Sequence, residues 1–105
     1  MVVVETPIFT RRIQELIFGE EYRLFQLHLV NKPDAGKVIQ GSGGLRKLWW
    51  SAGSRGKSGG IRVIYYWLVS RDTILLLYAY PKSRQDDLTP EQLQQIRKVV
   101  EKEYL

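Results

Sequence analysis

Residues 61–69, Ile-Arg-Val-Ile-Tyr-Tyr-Trp-Leu-Val, carry β-branched and aromatic side chains almost throughout and a single charge, Arg62. By propensity this is the strongest strand in the chain. Ser70-Arg71-Asp72 makes a short turn into residues 73–80, which again read as a strand, and Pro81 ends it. Residues 45–50 read as a strand ahead of both. The three consecutive strands predict an antiparallel meander.

Helices are expected on either side of it. Val2-Val3-Val4 suits a short strand, and Thr6-Pro7 reads as an N-cap followed by proline at the first helical position. Ile8, Phe9, Ile13, Leu16 and Ile17 follow at helical spacing, with Gly19 as the expected stop. Glu20-Glu21 places acid in the first turn of a second helix running to about Asn31, with Tyr22, Phe25 and Leu29 on one face. Thr89-Pro90-Glu91-Gln92 is a capping box opening a last helix, whose apolar stripe is Leu93, Ile96, Val99 and Val100. The passage 36–44 is glycine-rich and shows no clear period. The predicted fold is therefore α+β: a mostly antiparallel sheet with an N-terminal helical hairpin and a C-terminal helix, in the order β-α-α-β-β-β-α. At 105 residues, 1–105 is expected to form one domain.

Charge is distributed unevenly. Between Ala35 and Arg71 stand seven basic residues, eight of the nine glycines and all three tryptophans, without one Asp or Glu. The chain has 16 Lys+Arg against 11 Asp+Glu, so its surplus of +5 is concentrated here. A one-signed field of this density is costly to fold, because like charges repel, and phosphate is the commonest anion to neutralise one. A sequence pI near 9.6 admits nucleic acid, an acidic protein or an anionic surface as partner. The chain has no cysteine, which removes disulfides and thiolate zinc sites. The start, Met1-Val2-Val3-Val4-Glu5, lacks a basic n-region, and the longest apolar runs, 63–69 and 74–80, are far short of a membrane span. A basic, soluble, cytoplasmic protein with no membrane partner is expected.

Most classes of site find no support. The lone His28, mid-helix between Leu27 and Leu29, has no ligand partners and reads as structural or exposed. Asp86-Asp87 admit a carboxylate pair, but their place before Leu88-Thr89-Pro90 favours loop residues complementing the next helix's dipole. Gly56-Lys57-Ser58 resembles the tail of a P-loop, yet residue 51 is serine where the leading glycine would stand. No metal or other cofactor is expected. The basic and aromatic residues form a better set. Alternation puts 45, 47 and 49 on one face of their strand, and Arg62, Ile64 and Tyr66 on one face of theirs. Arg62, next to a loop holding Arg55 and Lys57, can join Lys47 and Lys82 around a concave, anion-binding face.

These residues also carry a family resemblance. Gly44-Leu45-Arg46-Lys47-Leu48, then Gly56-Lys57-Ser58-Gly59-Gly60-Ile61-Arg62-Val63-Ile64-Tyr65-Tyr66, then Tyr80-Pro81-Lys82 and Asp87-Leu88-Thr89, resemble the RelE/HigB toxins of bacterial type II toxin–antitoxin systems. The resemblance covers nearly the whole chain. It implies a ribosome-dependent endoribonuclease that cleaves mRNA in the A site, and a cognate antitoxin, usually with a helix-turn-helix DNA-binding domain. Lys47 matches an active-site lysine of that family, and Arg62 its central arginine, implying a base and a phosphate clamp. Lys57 and Lys82 are candidates for phosphate contact or acid donation; Arg46, Arg55 and Arg84 for RNA binding; Trp49 and Trp50 for base stacking. A crowd of cations would ready Lys47 as the base. The chain departs from RelE at Trp49, Ser83 and Thr89, where RelE has a lysine, an arginine and a tyrosine. Two alternatives stand: a ParE-like toxin directed at gyrase, or a non-catalytic basic binding protein.

Overall fold

A computed structural model of the chain describes residues 1–51 and 60–105. The elements run β1 (Val2–Glu5), α1 (Pro7–Leu16), α2 (Gly19–Asn31), β2 (Lys37–Val38), β3 (Arg46–Trp50), β4 (Ile61–Leu68), β5 (Thr73–Pro81) and α3 (Pro90–Tyr104). The fold is α+β, as expected, with one addition. The glycine-rich passage contains the two-residue strand β2, which pairs antiparallel with β3 and makes a five-stranded sheet of order β1-β5-β4-β3-β2. The meander β3-β4-β5 is antiparallel throughout, whereas β1 joins β5 in parallel. The helical hairpin carries the chain from β1 at one edge to β2 at the other.

Local chemistry sets the helix ends. The Thr6 side chain accepts from the Phe9 amide at 3.2 Å, and its hydroxyl donates to the Leu77 carbonyl at 3.2 Å, so one residue caps α1 and ties it to β5. Helix α1 stops at Leu16, three residues before the expected glycine, and Gly19 instead opens α2 with φ at +41°. Between them Ile17 leaves helical geometry and inserts into the core, only 2% exposed. The predicted capping box of α3 is present in both directions, Gln92 amide to Thr89 hydroxyl and Thr89 amide to Gln92 side chain.

The sheet is covered on both faces. On one, Phe9, Ile13, Ile17, Phe25 and Leu29 of the hairpin pack over Leu48, Val63, Tyr65, Ile74 and Leu76. On the other, Val100, with Leu93, Ile96 and Tyr104 beside it, packs over Leu45, Ile64, Leu75 and Leu77. Val99, the remaining member of the predicted stripe, is exposed. Tyr65 locks the hairpin to the sheet. Its buried hydroxyl donates to the Pro33 carbonyl at 2.7 Å and accepts from the Gly36 amide at 2.8 Å. A Cβ on Gly36 would lie 2.7 Å from the Tyr65 ring, so only glycine lets the chain pass so close.

Replacing Tyr65 with Phe keeps the ring but strands a buried amide and a carbonyl. A loss of about 1–3 kcal/mol is expected, measured as a lower urea midpoint with an unchanged slope.

Candidate phosphate-binding face

Paired residues in an antiparallel ladder point to the same side, so the register determines which side chains meet. On the α3 side of the sheet one row reads Lys37, Lys47, Ile64, Tyr78, and the next reads Trp49, Arg62, Tyr80. Lys47 and Arg62 are thus diagonal neighbours on adjacent strands, about 7–8 Å apart at the backbone by ladder geometry. Both are half-buried, whereas Trp49 is 54% exposed with its indole on the same face as Arg62. Helix α3 covers the Ile64 and Leu75 part of this side and leaves the row containing Arg62 at the margin.

Gly60 shapes the mouth between β3 and β4. Its φ is +65°, and a Cβ there would stand 2.4 Å from the Trp50 carbonyl oxygen and 3.0 Å from Trp49 Nε1. A side chain is therefore excluded both by strain and by contact. The Gly60 carbonyl accepts from the Lys82 amide at 3.1 Å, which sets Lys82 at the Arg62 end of the sheet. The Lys82 side chain is exposed, as is Arg84, whose amide closes a turn on the Pro81 carbonyl.

The predicted site residues divide into three groups. Lys47, Trp49, Arg62 and Lys82 share one side or end of the sheet, with Arg84 on the turn just beyond Lys82. Arg46 lies on the opposite side, beneath the hairpin, where its guanidinium donates to the Gly36 carbonyl at 2.8 Å and reaches the Asp34 carbonyl at 3.4 Å. That arginine braces the α2–β2 connection. Arg55 and Lys57, and with them the P-loop-like tail, lie outside the described residues. Trp50 faces the hairpin core, edge-on to Phe25 at 5.5 Å, with exposed His28 at 5.6 Å from the same indole. Stacking by an exposed indole falls to Trp49.

Three side chains enter the site that the sequence did not single out for it: Lys37, Asp87 and Tyr80. Lys37 stands directly opposite Lys47 because β2 exists. Asp87, from the β5–α3 loop, forms an ion pair and hydrogen bond with Lys47 Nζ across 40 positions of sequence. Lys47, and to a lesser degree Arg62, hold the Asp87 carboxyl below the usual carboxylate range. Lys47 therefore has a carboxylate partner, where the sequence pointed to a crowd of cations alone. Asp86 contributes its backbone, whose carbonyl accepts from the Tyr80 hydroxyl at 3.3 Å. No group of three or more His, Cys, Asp or Glu suited to a metal occurs among the described residues, and no helix among them is long and apolar enough to cross a membrane.

Tyr80 supplies the floor of the site. Burial, then the nearby Asp87 charge, push its phenol up to about 12. A raised folded value means a contribution that is intact below the unfolded value near 10 and is lost as the pH climbs toward 12. The wild-type denaturation midpoint should accordingly fall more steeply between about pH 10 and about pH 12 than that of Tyr80→Phe. Parallel slopes would show that Tyr80 is not held in its neutral form by the fold.

No family model matches the chain. Among solved structures it is similar to a double arginine-to-alanine variant of the E. coli toxin RelE in the free state, with a TM-score of 0.57. The two are 10% identical, and the superposition covers 81% of this chain and 86% of that one. The chain thus has the RelE-like fold that its motifs led us to expect.

Proposed function

We propose that this protein is the toxin of a type II toxin–antitoxin pair, an endoribonuclease that cuts messenger RNA in the ribosomal A site. The observation that carries the reading is the row Trp49–Arg62–Tyr80 with Lys47 on its diagonal, two cations and an exposed indole on one open sheet face. Cations a ladder diagonal apart suit a phosphate, and an indole beside them suits the face of an adjoining base. The RelE-like fold supports the same reading.

The chemistry asks for little beyond these residues. The RNA 2′-hydroxyl loses its proton and attacks the adjoining phosphorus. The bond to the 5′-oxygen breaks, leaving a 2′,3′-cyclic phosphate and a 5′-hydroxyl once that oxygen is protonated. Neither a metal nor an enzyme nucleophile is required, only charge stabilisation and proton transfer. In this reading Arg62 grips the scissile phosphate through its planar fork, and Lys47, Lys57 and Lys82 supply further charge and the proton transfers. Trp49 stacks on a base. The partner that silences the toxin is a cognate antitoxin with a helix-turn-helix domain, which keeps the toxin out of the ribosome by its bulk.

Arg62→Ala tests the assignment. Loss of one transition-state donor costs about 10²–10³ in rate, so primer extension on translated reporter mRNA should find the cuts gone while circular dichroism finds the fold kept. A folded variant that still cuts mRNA would remove Arg62 from the phosphate site. Intact mRNA in cells expressing the wild type, together with a DNA-damage response, would favour the gyrase-directed alternative.

Salt dependence tests the electrostatics separately. With about four or five cations engaged, log K for single-stranded RNA should fall against log [salt] with a slope near −3, at ~0.7 per contact. A flat response would mean that the basic face does not bind phosphate.

A further inference from the structure

The carboxylate inside the cation cluster has no part in the reaction just described, yet the fold holds it there from several directions. Leu88, next in sequence, is buried against Leu45, Tyr80 and Val100. On the other side the Asp86 carbonyl accepts from Tyr80, and Gln85 Nε2 donates to the Asp87 carbonyl at 2.8 Å and to Gln92 Oε1 at 3.1 Å. The N-terminus of α3 does not need the Asp87 side chain, because Thr89 and Gln92 already cap it reciprocally. The carboxylate is instead directed at Lys47, which has Lys37 opposite it in the ladder and Arg62 on its diagonal.

We propose that Asp87 is a specificity-determining residue: an internal anion that occupies, in the resting protein, the place a substrate phosphate takes against Lys47. The inference rests on the reading that this face binds RNA phosphate, and it deepens that reading by saying which RNA the face accepts. Every anion that reaches Lys47 must first displace Asp87. That exchange takes the same free energy from every ligand, about the worth of one exposed ion pair, which is a large share of the binding of a free phosphate or a stray RNA end with one or two contacts. For an RNA also held at Arg62, Trp49 and Lys82 the same cost is a small share of the total, because the Asp87 side chain is 70% exposed and such pairs are weak. The carboxylate thereby restrains a protein of charge +5 from binding polyanions indiscriminately, while leaving the cluster intact for a properly threaded strand.

The test is a double-mutant cycle read by fluorescence anisotropy with a short fluorescein-labelled 2′-O-methyl oligoribonucleotide, which has no free hydroxyl to attack its backbone. Asp87→Asn keeps the shape of the side chain and removes its charge. It should tighten binding by about three- to fivefold, the scale of one exposed ion pair. It should also steepen the salt slope by about 0.7, as Lys47 becomes free to release one more counterion. In a Lys47→Met background the same substitution should leave affinity and slope unchanged. Two results would overturn the proposal: unaltered or weaker binding by Asp87→Asn, or equal tightening with and without Lys47, which would be a diffuse charge effect. Because the readout is binding, failure to cut mRNA would sink the nuclease reading alone. An oligonucleotide that binds neither the wild type nor Asp87→Asn would sink both.

Discussion

Strand β4 is hydrogen-bonded along both edges, to β3 on one side and β5 on the other, and the positions of Lys47, Trp49, Arg62 and Tyr80 follow from that double register. A shift of one residue in either ladder would turn Arg62 toward the hairpin and expose Val63 and Tyr65, which are wholly buried. The apolar cost of that slip is large, so the hydrophobic pattern of residues 61–68 holds the arginine in place. The register is interrupted once, between Ile64 and Tyr65, where β5 contributes an extra residue. That bulge leaves both Leu77 and Tyr78 on the α3 side, filling the space beneath the last helix.

Unequal covering of the two sides makes one a core and the other a site. Two helices lie over the Tyr65 side and bury it behind Phe9 and Phe25, neither with any exposed surface. Among the described helices, α3 alone lies over the Arg62 side, and the Trp49–Arg62–Tyr80 row marks the margin of what it covers. Like charges gathered there repel, and the loop before α3 answers with Asp87. The same loop carries Leu88 into the apolar cluster, so closing the second core and placing the counter-charge are one structural event.

Much of this was legible in the sequence, for identifiable reasons. The meander announced itself through β-branched and aromatic runs separated by a three-residue turn, and α1 and α3 through Thr-Pro caps that act locally. Alternation alone put Lys47 and Arg62 on definite faces, and the register brought those faces together. What escaped is non-local. Strand β2 is two residues long among glycines, too short to show a period, and Lys37 was missed with it. Asp87 reads as a helix-dipole residue because its neighbours in sequence are a cap, whereas its partner lies on β3. Arg46 adjoins Lys47 and shares its charge, yet alternation sends it to the other side of the sheet, where backbone carbonyls of the α2–β2 connection take it up.

The central claim is that the open, α3-facing side of β3 and β4 binds RNA phosphate. Amide and indole NMR shifts during titration with a 2′-O-methyl oligoribonucleotide test it most directly. The account predicts that the largest shifts fall on Lys37, Lys47, Trp49 including its indole proton, Arg62 and Lys82, while Arg46, Leu24 and Leu27 stay still. Shifts centred on the hairpin side, with Arg62 and the Trp49 indole unmoved, would contradict it.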